Sequence, residues 1–480
     1  METFTWKLEL KLDGVNWTDC TSDVALADGA IEVTGGFQST SLVDLLANPG
    51  SISWVFDNSA ANSAHLAGYY TPGHTNCRSG FAKNVRARYS EYYNSVRIYQ
   101  GEYWLQKPIP SPGVFGEAVT RCRAVDWLGL MTGVNLPIIL IQTNQRADQL
   151  LTTLLAATTT QPAGTDYDTG VSTFYKAFDT ELCEKDTVYS VLGKISRSEY
   201  GRIFLLPSTG GGGVLTFECR GADAAKTTPL GTISNVMEDV EILDNADQIY
   251  DRVQVTVYPI EPEASSFIVA FRHPHLPLAA YEERKFIIYF SEGISGTGGR
   301  ISVEMVYELG YGNTYFFGTV NDDYSDDLHA NLLFTGSVVG ANCVLLDITN
   351  SGAVAGYFNW FGHKGTRYNR STPWTRELGT GGLRVLTVDM AYESDQAMAE
   401  SLAATLQPLA SSNTRRSCRV KFHANKSAAL MAAAMSGLIS TRWTIAETQT
   451  ALNSDFFIAG TKRSVGPGNR LDVEWLCRPV

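Results

Sequence analysis

Strict two-residue alternation at both ends of the chain is the strongest constraint on its fold. Near the start, Trp6, Leu8, Leu10 and Leu12 alternate with Lys7, Glu9 and Lys11. At the far end, Leu471, Val473, Trp475 and Cys477 alternate with Asp472, Glu474 and Leu476. Successive side chains of an extended chain point to opposite faces, so each run is a strand with one face inward. Both ends therefore belong to sheets that cover a core.

The same signal recurs in short pieces. SISWVFDN, SVRIYQGEYWL and AVTRCRAVDW read as strands, and Asp13-Gly14, Asn48-Pro49-Gly50, Thr71-Pro72-Gly73 and Pro110-Ser111-Pro112-Gly113 punctuate them. Regular short strands divided by turn residues predict a β-barrel or sandwich over residues 1–135.

The period then changes. Ala147, Leu150, Leu151 and Leu154 share one face of a helix, with Asn144 as candidate cap. Val188, Val191, Leu192 and Ile195 line a second, expected over about 187–199, with Asp186 or Thr187 as cap and Gly201 placed to end it. The glycine run Gly210, Gly211, Gly212 and Gly213 is not a phosphate loop. It sits between RIFLL and VLTFECR, with no following helix and no Lys-Ser or Lys-Thr. A β-hairpin with a polar tip is predicted instead.

From Glu238 to Tyr258 a new strand set begins, with Val253, Val255 and Val257 inward. Residues 265–383 hold seven short β segments and almost no helical period, which fits an immunoglobulin-like sandwich. Beyond Gly381-Gly382, strands and helices resume. VLTVDM is a strand; Met398, Leu402 and Leu409 mark a helix face. RVKFH is a strand, and Met431, Met435 and Leu438 mark another helix, capped by Asn425 or Ser427. Three strands close the chain. The fold class is mainly β with α+β parts, one α+β unit being interrupted by the sandwich.

With 480 residues, several domains are expected. The net charge of −12 disfavours a grip on nucleic acid or on an anionic membrane. Cysteines at 20, 77, 122, 183, 219, 343, 418 and 477 form no C-x-x-C pair, so free thiols and a reducing compartment are expected. METFTWKLELKL lacks the pattern of a signal peptide, and NLPIILI, the densest apolar run, is too short to span a membrane.

Candidate sites are few. In His273-Pro-His275 the proline forces an extended dipeptide that splays the rings, so a loop is expected rather than a metal site. Asp322, Asp323, Asp326 and Asp327 lack the glycine and glutamate frame of a calcium loop and read as a solvated turn. Arg415, Arg416, Arg419 and Lys421, like Arg121 and Arg123, are expected to pair with acids or line a subunit contact. With no nucleophile, zinc or phosphate motif present, no catalytic, cofactor-binding or metal residues are assigned, and no enzyme is expected.

The order of these stretches resembles the tail-tip or baseplate hub proteins of tailed bacteriophages. LELKLDG followed by TDCTSDV looks like the family's opening strand and DVTS-like segment, and SISWVFDN and YYTPG like its next strand and turn. RAVDWLGLM, ISRSEYGRIFLLPS (with Tyr200 where Gly is common), VLTFECR, IYDRVQVTVYP, ITNSGAVAGYFNWFGHKG and the closing TQTALNSDFFIAGTKRSVGPGNRLDVEWLCRP follow in family order. NSAHLAGYYTPGHTNC departs from the family's short Asn-Arg-Asp-Gly turn.

The resemblance implies two tube-protein-like β-barrel domains, at 1–135 and at 236–261 with 384–480. An intermediate α+β domain would occupy 136–235, and the inserted sandwich 262–383. It implies a homotrimer whose six barrels match a sixfold tail tube above a threefold tip. Its partners would be tube and distal tail proteins, tip or central fibre proteins and the tape measure protein, with DNA passing unbound. Its place would be the virion, at the tail tip, after assembly in the host cytoplasm. The alternatives are a distal tail adaptor, a glycan-binding tail protein using Tyr357, Phe358, Trp360, Phe361 and Trp374, and a cell-wall hydrolase.

Overall fold

The computed structural model describes residues 2–480 except 112, 114–117, 180, 182, 209–212, 244–248, 290–300, 305–313, 320–331, 340–342, 382–383 and 413–415. Between 261 and 370 it describes side chains only at 277–285, 287 and 347–357.

The N-terminal strands form a ring. Strand Thr5–Leu10 pairs with Arg86–Tyr93, which pairs with Val96–Leu105. That strand meets Val119–Val125, which pairs with Asn48–Asp57. The segment from Thr18 to Val24 bridges the remaining gap, pairing with Thr5–Leu10 at one end and with Phe56 at the other. Leu8, Leu10, Ile52, Trp54, Phe56, Tyr89 and Ala124 fill the interior. The unusual segment 62–77 is tied to this core. Tyr70 is fully buried and stacks on Phe56 with ring centroids 4.0 Å apart. Its hydroxyl donates to Asp23 at 2.5 Å and accepts from Arg78 at 2.6 Å.

The C-terminal strands repeat this plan. Ser417–His423 pairs with Arg470–Pro479, which pairs with Leu452–Gly466, which pairs with Arg442–Glu447. Again a short stretch spans the gap: Thr232–Ser234 lies along Arg442–Glu447, and Asp239–Leu243 lies along Ser417–His423. Trp475 sits at the centre, 5.0 Å from Phe422 and 5.2 Å from Trp443 between ring centroids. Strand Leu452–Gly466 is long enough for its second half to pair with Ile31–Gly36, which pairs in turn with Asn48–Asp57. Both rings therefore belong to one 14-stranded sheet.

The α+β region packs beside this sheet. Helix Val188–Glu199 is capped by Thr187, whose hydroxyl accepts from Ser190 N. Arg202–Pro207 and Gly213–Glu218 pair antiparallel, as the predicted hairpin requires, with Gly164–Tyr167 added in parallel; the glycines between the two strands lie outside the described residues. Helix Ala147–Ala157 starts at Arg146 rather than at Asn144, because the Gln149 side chain accepts from Arg146 N. Helix Val188–Glu199 ends on Tyr200, not Gly201, in the left-handed region (φ 56°). The Tyr200 hydroxyl donates to Leu42 O at 2.6 Å, which offsets a conformation that costs a non-glycine residue roughly 1–2 kcal/mol.

Two further expectations, the placing of Arg252–Val257 and the inward face at Leu409, need correction, and one open alternative is settled. Arg252–Val257 joins neither ring. It lies between Trp374–Gly379 and Val385–Met390 in a separate three-stranded sheet under helix Gln396–Ala410. On that helix Leu402 and Leu406 are buried while Leu409 is exposed. The helix of Met431 and Met435 is Ala428–Ser436, capped by Ser427 and not Asn425. Within 260–370 the strands pair into two sheets. One holds Ile260–Leu278, Gly356–Arg370, Ile301–Glu304 and Thr314–Thr319; the other holds Glu283–Tyr289, Cys343–Asn350 and Leu332–Val339.

Two carboxyls are held in conflict with their surroundings. Asp126 accepts from Gly129 N and Gly50 N, both at 2.8 Å, yet burial pushes it up to about 7. Glu199 accepts from Val171 N at 2.7 Å and Ser172 N at 3.0 Å, and burial pushes it up to about 6. A carboxyl that holds its proton more tightly folded than unfolded stabilises the fold at low pH. That contribution fades as pH rises from about 4 through the folded value. Asp126→Asn is therefore expected to gain on the natural chain between pH 5 and 7, at up to ~1.4 kcal/mol per pH unit. Urea unfolding across that range checks it, and parallel curves would contradict it.

Candidate functional site

The alternation at the two chain ends acquires a purpose once the strands are in register. Interior-facing residues fill the rings, and the residues between them form one outer wall. One row runs Asp239, Lys421, Glu474, Lys462, Thr34 and Ser51 across six strands. A second runs His423, Asp472, Ser464, Glu32, Ser53 and Arg123. Arg419 and Glu241 stand opposite each other beside these rows. The wall crosses the seam between the rings without an apolar break in either row.

Most of its charges are matched. Arg419 reaches Glu241 at 2.6 Å and Glu474 at 3.0 Å. Lys462 lies 3.4 Å from Glu32, and Lys421 lies 3.8 Å from Glu474. His423 sits between Asp472 and Glu238, the latter at 2.6 Å, and Arg470 reaches Asp472 at 2.8 Å. Exposed pairs contribute little stability singly, about 0–1 kcal/mol. Together they hold the potential of the wall near neutral despite the chain's overall −12. Shallow depressions of about 210 and 280 Å³ lie on it, each bordered by Lys462 and Glu474.

The residues singled out in the sequence divide into three groups. Arg419 and Lys421 pair with acids, as expected; Arg121 and Arg123 are exposed on Val119–Val125. His273 and His275 lie on strand Ile260–Leu278, not in a loop, and their side chains fall outside the described residues, as do those of Phe358, Trp360 and Phe361. Asp322, Asp323, Asp326, Asp327 and Arg415 also lie outside the described residues. Tyr357 and Trp374 are half-buried. The seven described cysteines carry free thiols. Among the described residues no group of three or more His, Cys, Asp or Glu could hold a metal ion, and no helix is long and apolar enough to cross a membrane. Sequence reasoning missed the wall itself. Its signal was present in Asp472 and Glu474 between inward residues, but their partners lie on other strands.

Two strand rings fused through one sheet, with an α+β unit beside them, make a mainly β fold similar to that of a solved tail protein. No family model matches the chain, and no curated protein matches it in sequence. Among solved structures, the tail protein from Neisseria meningitidis MC58 aligns over 99% of this chain and 96% of its own length, with a TM-score of 0.50 and 10% identity. The 43 kDa tail protein of prophage MuSo2 from Shewanella oneidensis aligns over 98% of both chains, at a TM-score of 0.48 and 10% identity. The E. coli c3393 protein, a component of the type VI secretion system similar to T4 bacteriophage tail proteins gp27 and gp5, aligns over 99% of this chain and 77% of its own, at 0.42 and 9%. At such identities the likeness is one of fold.

Proposed function

We propose that this chain is a structural part of a phage tail, the hub that joins a sixfold tail tube to a threefold tip. Three copies, each bringing two strand rings, present six rings to the tube. A closed trio needs two different complementary faces on each copy. The edge of Asp239–Leu243, which among the described residues pairs on one side only, with Ser417–His423, is a backbone surface a neighbour would cover. The observation that carries the reading is the polar wall continuous across both rings. Turned inward, it lines a channel through which DNA passes without adhering.

Adhesion to DNA requires cations that displace phosphate counterions. Here Arg419, Lys421 and Lys462 are neutralised by neighbouring acids, and Arg123 stands exposed at the end of its row, so the wall offers few cations for phosphate to grip. This differs from a channel lined by the chain's acidic excess; balance, not net negative charge, does the work. The hub acts mechanically and without enzymatic activity, in the virion at the tail tip, after assembly in the host cytoplasm. Its partners are tube and distal tail proteins, tip or fibre proteins and the tape measure protein.

The test has two parts. Electron microscopy of tails should show threefold symmetry at the ring containing this chain; sixfold symmetry would make it a distal adaptor. Purified chain should not retain duplex DNA at physiological salt, whereas Glu32→Lys with Glu474→Lys should gain salt-sensitive retention. Retention by the unaltered chain, or clearing of cell wall in a zymogram, would overturn the reading.

A further inference from the structure

A cavity of about 250 Å³ lies where the hairpin, helix Gln396–Ala410 and the chain's last residues meet. It is smaller than pockets for drug-sized ligands, which begin at roughly 300 Å³. Arg202, Arg220, Arg478, Thr405, Leu402 and Leu406 are among its lining residues. Three guanidinium groups border one small cavity, and of the carboxylates near it three are already engaged, while Asp44, also in its lining, accepts on one oxygen from Ser39 N at 3.2 Å and Ser39 Oγ at 2.9 Å. Asp223 accepts from both nitrogens of the Arg478 fork, at 2.8 Å each, and from Arg202 on both oxygens. Glu218 accepts from Arg202, Lys226 and the Ser440 hydroxyl. Glu199 uses its two oxygens on Val171 N and Ser172 N.

Two donors remain poorly served. The Arg202 Nε is buried without a hydrogen-bond partner. Arg220, half-buried, donates to the Met398 thioether sulfur at 2.9 Å, a weak acceptor for a charged donor. A buried donor left without an acceptor is unfavourable, and an oxyanion in the cavity would offer one. Forked guanidinium donors match carboxylate and phosphate oxygens.

We propose that this cavity binds an oxyanion, with Arg220 as its principal charged contact. The apolar side contributed by Leu402 and Leu406 admits an aliphatic portion beside the anionic head. The oxyanion is either a free phosphate or a carboxylate brought by a second copy of the chain. Neither depends on the role in a tail proposed above.

Calorimetric titration of the full chain with inorganic phosphate, at constant ionic strength in chloride, distinguishes the sources. Saturable binding that weakens about tenfold or more in Arg220→Gln, but persists in Met398→Leu, supports a free anion. No phosphate binding, together with weaker self-association of Arg220→Gln by light scattering, supports the carboxylate of a second copy. If phosphate does not saturate and Arg220→Gln self-associates like the unaltered chain, the proposal falls. It also falls if phosphate binds equally to both chains.

Discussion

Replacing Arg463 with alanine will cost the fold about 3–5 kcal/mol. Arg463 is 4% exposed and Glu91 is fully buried, and the two lie on strands 372 residues apart in sequence. The guanidinium contacts both Glu91 oxygens, with Nε at 3.2 Å from one of them. It also donates to Ala434 O at 2.7 Å, fastening helix Ala428–Ser436 to the same group. Glu91 accepts further from Tyr89 at 3.1 Å and Gln100 at 3.1 Å. Removing the arginine strands a buried carboxylate whose remaining donors are neutral, and that penalty dominates. The pair itself adds little beyond what well-packed apolar side chains would provide. Arg463→Met combined with Glu91→Met should therefore recover most of the loss, with each single change remaining costly. Urea unfolding measures all three. A single-site cost below about 1 kcal/mol would show that water reaches the pair.

The second large effect is expected at the seam between the rings, where Gly36→Val should destabilise by about 2–5 kcal/mol. Gly36 has φ +92°, a region that L side chains rarely adopt. A Cβ there would lie 2.5 Å from Ala459 O, 2.9 Å from Ile439 Cδ1 and 3.0 Å from Gly460 Cα. The first and third of these are backbone, so the strand partner itself must move. Gly460 across the seam is equally confined, since a Cβ there would overlap Phe37 O. Gly35, one residue earlier, has no atom within 4 Å of a Cβ, and Gly35→Ala should change stability by only a few tenths of a kcal/mol. Because the pairing of Ile31–Gly36 with Leu452–Gly466 is what merges the two rings into one sheet, the Gly36 variant should also lose cooperativity. Calorimetry should resolve two transitions in place of one. A single transition at unchanged temperature would mean that the rings are held together elsewhere.

The elements themselves were legible because their signals are local. Alternation at Leu471–Cys477, the helical stripe of Val188, Val191, Leu192 and Ile195, and the hairpin around Gly213 each depend on neighbours within a few residues. Caps were half-legible. Thr187 and Ser427 act where the chain placed them. Tyr200 displaces Gly201 because its hydroxyl finds Leu42, which no local rule contains.

Local pattern was enough to make this a mainly β chain with inward apolar and outward polar faces, because side-chain direction follows from backbone period alone. Which faces meet was settled by long-range packing. It sent Arg252–Val257 to a separate sheet, joined the two rings through Ile31–Gly36, and aligned Glu32, Lys462, Glu474, Lys421 and Asp239 into one balanced wall. Strand partners are chosen by register across hundreds of residues, through packing and hydrogen bonds that exist only once the chain has closed on itself.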